Sequence, residues 1–139
     1  MNKSTGSQMP QVGALAARQL DDYDSHHPGM LFSEGLTLDV QQGYELQNAV
    51  AALRYQRGEQ LIGYKVGCTS STIREQLKIT HRVRGLLFDT EQHESGVALS
   101  RQSFANLAIE GELAIELSRE PREEAVSYTH LTLPTTPYV

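Results

Sequence analysis

The ten residues AIEGELAIEL, at positions 108–117, alternate between two faces with a period of two. One face carries isoleucine, glycine and leucine, and the other carries Glu110, Glu112 and Glu116 among alanines. A period of two is typical of a half-buried β-strand. The pattern therefore predicts a strand over residues 107–117 with two carboxylates side by side on its polar face.

The spacing of these carboxylates would allow them to share one ion. Residues two apart in a strand lie about 6.5–7 Å apart on one face, so Glu110 and Glu112 can lean together. Carboxylate oxygens suit Mg²⁺, Mn²⁺ or Ca²⁺ rather than zinc. The alternative is a solvated strand face, which is the interpretation we give to Glu116, because it lies beyond reach of the ion. The residues alone leave both interpretations open.

Composition limits the classes of partner. The 139-residue chain suits one domain, and its net charge of −5 offers no basic stripe for nucleic acid. The single cysteine, Cys68, excludes an intrachain disulfide and fits a reducing compartment. Neither a signal peptide nor a membrane-spanning apolar run is visible. We therefore expect a cytoplasmic protein with no nucleic-acid and no membrane partner.

Helices and strands alternate along the remaining sequence. Helical spacing of apolar residues predicts helices over residues 11–23 and from a Thr37 cap to Gly58, with Asp39 in the first turn. Thr72 with Glu75 predicts a capping box for a short third helix. Period-two or apolar runs predict strands over residues 61–68, 85–88 and 97–99. The fold class expected from this order is α+β.

Lys65 lies on the first predicted strand, on a face that its small neighbours leave open. Gly63 and Gly67 flank it, as happens where a ligand or another backbone approaches closely. The alternative is a surface lysine on an edge strand. Cys68, which precedes a helix N-terminus, is a candidate nucleophile because a thiolate is favoured there. Its alternative is a small buried side chain.

The last fourteen residues, VSYTHLTLPTTPYV, contain no Asp, Glu, Lys or Arg, whereas the preceding SREPREEA is densely charged. The stretch VSYTHLTLPT corresponds to the translated end of a transposase adapter used to prepare DNA for sequencing. We therefore expect residues 126–139 to be a non-native, adapter-derived tail and the genuine chain to end near Glu124. A natural β-prone C-terminal strand is the alternative.

Three motifs in order resemble the 2-keto-4-pentenoate hydratase branch of the fumarylacetoacetate hydrolase family. They are GYKVGCTS before a short helix, then G-x-L-F, then I-E-x-E-L-A. The resemblance covers roughly positions 15–117 and is most specific at 63–70 and 108–117. It implies a mixed β-roll with only its N-terminal half present. Residues 1–58 would form an N-terminal helical segment, and residues 59–125 the first part of the β-roll catalytic domain.

The resemblance also implies site residues and a cofactor. Glu110 and Glu112 match the first two carboxylate ligands of the family's Mg²⁺ or Mn²⁺, and Lys65 matches the lysine that faces the bound 2-oxo acid. Thr69 and Ser70 match the turn that contacts this substrate. The third carboxylate comes from a later strand, beyond the genuine residues of this chain. We therefore expect this product to be inactive, and a full-length version to be a homo-oligomer.

The implied reaction adds water to a 2-hydroxydienoate or 2-oxo-enoate in aromatic catabolism. Decarboxylation of a 2-oxo-enedioate, carbon–carbon hydrolysis of a 3-acyl-pyruvate and a non-catalytic relative are the alternatives. The loop before Gly85 lacks the acidic residue that hydratases of this group often carry there. Arg82 or Arg84 could contact a distal substrate carboxylate or belong to a solvated loop, and Asp89 is assigned a structural role.

Overall fold

A computed structural model describes residues 12–118, and the chain divides into two units between Leu107 and Ala108. The predicted tail at 126–139 lies outside the described residues. The first unit contains α1 (Val12–Asp24), α2 (Met30–Ser33), α3 (Val40–Gln56), β1 (Leu61–Gly67), α4 (Ser71–Leu77) and β2 (Val83–Phe88). Two single 3-10 turns follow at Asp89–Glu91 and Arg101–Ser103. Helices and strands in one unit confirm the α+β class. No helix between residues 12 and 118 is long and apolar enough to cross a bilayer.

The helices α1 and α3 pack against each other and supply most of the buried apolar residues. Ala16 and Leu20 lie one turn apart on α1, and α3 buries Leu46 and Ala51. The predicted first helix is confirmed, and it ends one residue beyond the predicted limit.

The N-cap of α3 is not the predicted residue. Asp39, not Thr37, is the N-cap: its Oδ1 accepts from the Gln42 backbone N at 2.8 Å, and Gln42 Oε1 accepts from Asp39 N at 3.0 Å. The reciprocal bonds satisfy two backbone donors that a Thr37 cap would leave exposed. The end is as predicted, because Gly58 follows the C-cap Arg57 with a φ of +96°.

The strands β1 and β2 form an antiparallel pair in which Lys65 lies opposite Gly85. The register shifts by one residue between Leu61 and Gly63, which is a β-bulge. Both strands were predicted, although β2 begins at Val83, two residues before the predicted start. Because β1 and β2 form the only sheet among the described residues, the implied β-roll stays a prediction.

The helix α4 between the strands is confirmed, but its predicted capping box is wrong. Ser70 is the N-cap, and its Oγ accepts from the backbone N of Ile73 at 3.2 Å. Thr72 therefore lies inside the first turn rather than before it. A serine directly before the helix can reach the free backbone donors, whereas a threonine inside the helix has no such geometry.

The predicted strands over residues 97–99 and 107–117 are not strands in the described structure. In the described part of the second unit, residues 108–118, no helix or strand forms, and Ile109 and Leu113 are 93% and 98% exposed. The alternation of apolar and polar residues indicates which side chains would face a core. A strand also needs a neighbouring strand to hydrogen-bond with its backbone. Neither described strand pairs with this segment.

Candidate functional site

Lys65 lies in β1 on the more buried of the strand's two faces. Burial alternates along the strand, so Gly63, Lys65 and Gly67 are half-buried while the residues between them are exposed. The residue opposite Lys65 on β2 is also a glycine, Gly85. Paired residues share a face of the sheet, so three glycines surround the lysine stem. This arrangement gives Lys65 more room than a lysine among β-branched neighbours would have.

The three glycines differ in how much free space lies beside them. A Cβ on Gly67 would lie 3.1 Å from Val83 Cγ2, so the valine fills that side. A Cβ on Gly63 would lie 3.9 Å from Leu87 Cδ1, and one on Gly85 would meet nothing within 4 Å. The prediction that both flanking glycines leave the face open is therefore refined: the open side is at Gly85.

The turn after β1 is fixed by an arginine that the sequence analysis missed. Arg74 Nη1 donates to the carbonyl oxygens of Cys68 at 2.9 Å and Thr69 at 2.6 Å. Cys68 has a left-handed φ of +56°, which the chain needs to turn from β1 into α4. The structure thus holds Lys65, Thr69 and Ser70 in one β1–α4 segment. No local sequence signal marks Arg74 as the clamp.

Arg84 lies on the opposite face of the sheet from Lys65. Arg84 pairs with Val66, one position along from Lys65, and neighbouring residues in a strand point to opposite faces. Its guanidinium carbon lies 5.6 Å from the ring centre of Tyr44 and 6.0 Å from that of Tyr64. Arg84 therefore belongs to a strand rather than to the predicted solvated loop, and its exposed side chain does not share a substrate contact with Lys65.

Asp89 has the structural role assigned to it. Its Oδ1 accepts from the backbone N of Gln60 at 2.9 Å and of Thr90 at 3.0 Å. The Asp89 backbone N in turn donates to the Gln60 carbonyl oxygen at 2.9 Å. These bonds join the residue before β1 to the residue after β2, so the two strands are tied at this end.

A buried ionic cluster lies beside this tie, and the sequence analysis missed it. Arg54 and Glu59 are only 8% and 7% exposed, and Arg54 Nε donates to Glu59 Oε2 at 2.7 Å. Arg54 Nη1 also donates to Glu91 Oε1 at 2.9 Å, and its guanidinium carbon lies 3.8 Å from the Phe88 ring centre. Arg54 follows Val50 at a spacing of four, so helical periodicity could have placed it on the buried face of α3.

The cluster keeps Glu59 ionised. Burial raises the pKa of its carboxyl group, but hydrogen bonds from Arg54, Thr90 and Arg57 outweigh burial and lower the pKa from 4.5 to about 2. The Thr90 hydroxyl donates to Glu59 Oε2 at 2.8 Å, and Arg57 Nε donates to Glu59 Oε1. A carboxylate with this pKa does not exchange protons near neutrality. Glu59 is therefore a structural charge rather than a general acid or base.

Glu110 and Glu112 lie in the second unit, and both are exposed. Their carboxylate oxygens have the donor chemistry that Mg²⁺ and Mn²⁺ prefer, and they would supply two of the several ligands that such an ion takes. Among residues 12–118, no three His, Cys, Asp or Glu side chains are arranged to hold a metal. The donor set fits the ion chemically but only in part, so the metal assignment stays a prediction.

Comparison with known proteins supports the resemblance. The chain is 28% identical over 127 residues to 2-hydroxyhexa-2,4-dienoate hydratase of Comamonas testosteroni, covering 86% of this chain and 45% of that protein. It is also 28% identical over 93 residues to 2-keto-4-pentenoate hydratases of Burkholderia vietnamiensis and Paraburkholderia phymatum, covering 67% of this chain and 36% of each. No family model matches the chain.

The predicted similarity to 2-keto-4-pentenoate hydratases is thereby confirmed. The chain spans less than half the length of the curated relatives it matches.

Proposed function

We propose that this chain is part of a hydratase that adds water to a 2-hydroxydienoate, or to its 2-oxo-enoate tautomer, in aromatic catabolism. The observation that carries the proposal is the match to a dienoate hydratase over 86% of this chain. The motifs at 63–70 and 108–117 agree with it. We extend the proposal to the fold of the whole protein, in which β1 and β2 would be two strands of a fumarylacetoacetate hydrolase-like β-roll.

Lys65 is the proposed proton-transfer group. Its amine can take the proton from the 2-hydroxyl group of the dienoate, while a proton returned to the carbon chain completes the 2-oxo-enoate. Water then adds across the remaining conjugated double bond. Gly85 supports this role, since it lies opposite Lys65 and leaves a small molecule room beside the lysine stem. A positioned lysine of this kind contributes through general acid–base catalysis.

Thr69 and Ser70 are the proposed substrate-orienting residues. Ser70 Oγ accepts from Ile73 N, so its hydroxyl proton is still available to donate to a substrate oxygen. Arg74 holds the turn through two carbonyl oxygens, and this would keep both residues in place during binding. Hydrogen-bond donors that are already in position lower the entropy cost of orienting a substrate.

Glu110 and Glu112 are the residues that would hold Mg²⁺ or Mn²⁺. A bound divalent ion supplies Lewis-acid stabilisation of negative charge on a 2-oxo oxygen. The two carboxylates would supply two oxygen ligands to such an ion. Glu116 has the same residue type and exposure but lies further along the chain, so it serves as an internal control.

The metal assignment can be tested on the 139-residue chain alone. Mn²⁺ is titrated into the protein, and binding is followed by the enhancement of water-proton relaxation. Glu110→Gln and Glu112→Gln should each weaken Mn²⁺ binding about tenfold or more, since each removes a charged ligand. Glu116→Gln should bind as the unchanged chain does. Equal losses in all three variants would show non-specific binding and overturn the assignment.

The reaction is best tested in a chimera in which residues 12–117 replace the matching part of the Comamonas hydratase. Circular dichroism first establishes that the chimera folds. Loss of dienoate absorbance without CO₂ release is the expected result, and Lys65→Met should lower kcat about 10²-fold or more. Lys78→Met, an exposed lysine at the end of α4, is the matched control and should leave kcat unchanged.

The other outcomes of the chimera assay would each support a different conclusion. Unchanged turnover in Lys65→Met would refute the role of Lys65. CO₂ release from a 2-oxo-enedioate would favour the decarboxylase. A folded chimera that binds Mn²⁺ but turns over neither substrate would favour a non-catalytic relative.

A further inference from the structure

The face of the sheet that carries Lys65 has a gap on β2. Val83, Gly85 and Leu87 alternate along β2 and share this face, with Gly85 directly opposite Lys65. Val83 and Leu87 each lie opposite a glycine of β1, and their methyl carbons are 3.1 Å and 3.9 Å from where those glycines would carry a Cβ. A Cβ on Gly85 would meet no heavy atom of the described residues within 4 Å. We call the space between Val83 and Leu87 the Gly85 notch.

The Gly85 notch has the width of one missing side chain. Val83 and Leu87 each stand about 6.5–7 Å from Gly85 along the strand. Across the strand pair, the Cβ of Lys65 lies about 4.5–5.5 Å from where Gly85 would carry one, so the lysine stem borders the notch on a third side. Val83 and Leu87 are 36% and 38% exposed, so a small alkyl group placed between them would bury apolar surface of both.

The notch suits the hydrocarbon end of a substrate rather than its oxygens. Neither a valine nor a leucine side chain can form a hydrogen bond, so a carboxylate placed between Val83 and Leu87 would lose water without gaining a donor. In the proposed function the substrate oxygens belong to Thr69 and Ser70, which follow the C-terminal end of β1. The terminal carbon of the dienoate is therefore the part that the notch fits.

We propose that Gly85 is a specificity-determining residue whose notch receives an alkyl substituent on the terminal carbon, C5, of a 2-hydroxydienoate. This inference rests on the hydratase proposal, because the proposed proton-transfer group Lys65 borders the notch. The substrate class is then the 2-hydroxydienoates that carry a methyl or ethyl group on C5. One methylene group in an apolar pocket changes discrimination between substrates about tenfold or more, so the presence of a single side-chain carbon at position 85 is measurable.

Dienoates that differ by one carbon test this inference in the chimera. Gly85→Ala should lower kcat/KM for 2-hydroxyhexa-2,4-dienoate about tenfold or more relative to 2-hydroxypenta-2,4-dienoate, because the added methyl carbon occupies the notch. Leu87→Ala widens the notch and should raise kcat/KM for 2-hydroxyhepta-2,4-dienoate about threefold or more relative to the pentadienoate. Gly13→Ala, on α1 where a Cβ also meets nothing within 4 Å, is the matched control and should leave both ratios unchanged.

A binding measurement on the 139-residue chain separates this inference from the hydratase proposal. With Mg²⁺ present, 2-oxopentanoate and 2-oxohexanoate are titrated into the chain, and the ¹H–¹⁵N NMR shifts of the Val83, Gly85 and Leu87 amides are followed. The longer acid should bind more tightly, and Gly85→Ala should remove this preference while the shorter acid still binds.

The two measurements decide between the possible outcomes. If the chimera turns over, a kcat/KM ratio that Gly85→Ala does not move overturns the notch. If the chimera does not turn over, the hydratase proposal fails, and the affinity ratio of the two acids decides the notch alone. Absence of saturable shifts, or a ratio that Gly85→Ala leaves unchanged, then overturns it. Should circular dichroism show that Gly85→Ala does not fold, the Leu87→Ala variant decides in its place, and a ratio that it does not raise overturns the notch.

Discussion

Replacing Glu59 by glutamine should destabilise the first unit in a way that depends on pH. The change keeps the shape of the side chain and removes its charge, so Arg54 loses the carboxylate that accepts its Nε at 2.7 Å. Glu91 stays as a second partner at 2.9 Å, but it is bonded to the other end of the guanidinium. Removing one member of a buried ion pair leaves the other charge poorly compensated.

The magnitude follows from the pKa of Glu59. Lowering from 4.5 to about 2 corresponds to an upper bound of about 3 kcal/mol in the free energy of unfolding. The Arg57 side chain is 36% exposed, so solvent screens part of this interaction. We therefore expect Glu59→Gln to lower the free energy of unfolding at pH 7 by about 1–3 kcal/mol.

The sign of the pH dependence is fixed by the direction of the shift. Because the folded-state pKa is the lower one, the stabilisation is complete above the unfolded-state pKa of 4.5 and is lost as the pH falls towards 2. The variant has no carboxyl group at this position to titrate. The difference between the two proteins should therefore narrow to less than half its neutral value by pH 3.

Urea denaturation at pH 7 and pH 3, followed by circular dichroism, measures this difference. Glu34→Gln is the matched control, because Glu34 accepts from Arg18 at 2.9 Å while half exposed, and it should be indistinguishable from the unchanged chain. Equal stability of Glu59→Gln and the unchanged chain at pH 7 would refute the reasoning. A difference that is constant between the two pH values would refute it as well.

Three further substitutions test the local structure. Asp39→Ala should lower the free energy of unfolding by about 1 kcal/mol through loss of the N-cap, whereas Thr37→Ala should have no effect in the same denaturation assay. Gly43→Ala, inside α3, should raise the free energy of unfolding by about 0.5–1 kcal/mol. Gly58→Ala should lower the free energy of unfolding, because the φ of Gly58, +96°, disfavours any side chain. Arg74→Met should accelerate amide hydrogen exchange in the turn at 68–70, and unchanged protection there would contradict the clamp.

Local sequence patterns were sufficient for most of the helices and for both strands of the pair. Helical spacing found α1 and α3, and Gly58 marked the end of α3, because each signal depends only on nearby residues. The caps were less predictable, since Thr37 and Asp39 are both good capping residues and only the bond to Gln42 decides between them. The 107–117 segment shows the limit of alternation, which does not specify a pairing partner.

The candidate site was predictable where it depends on one stretch of sequence. Lys65, Thr69 and Ser70 were placed in one segment because they are neighbours along the chain, and the structure holds them there. Arg54 and Glu91 were missed because they are distant in sequence and meet only after α3 and β2 have packed. The left-handed turn at Cys68 was missed too, since a cysteine carries no conformational signal of the kind that glycine does.

Two side chains of α3 cover part of the outer border of β2. Arg84 N donates to the Tyr44 hydroxyl at 3.3 Å, and the Arg84 carbonyl oxygen accepts from Gln47 Nε2. Both backbone groups that an incoming strand would use at this position are therefore already engaged. At Arg84, therefore, a further strand could pair with β2 only by displacing both of these α3 side chains.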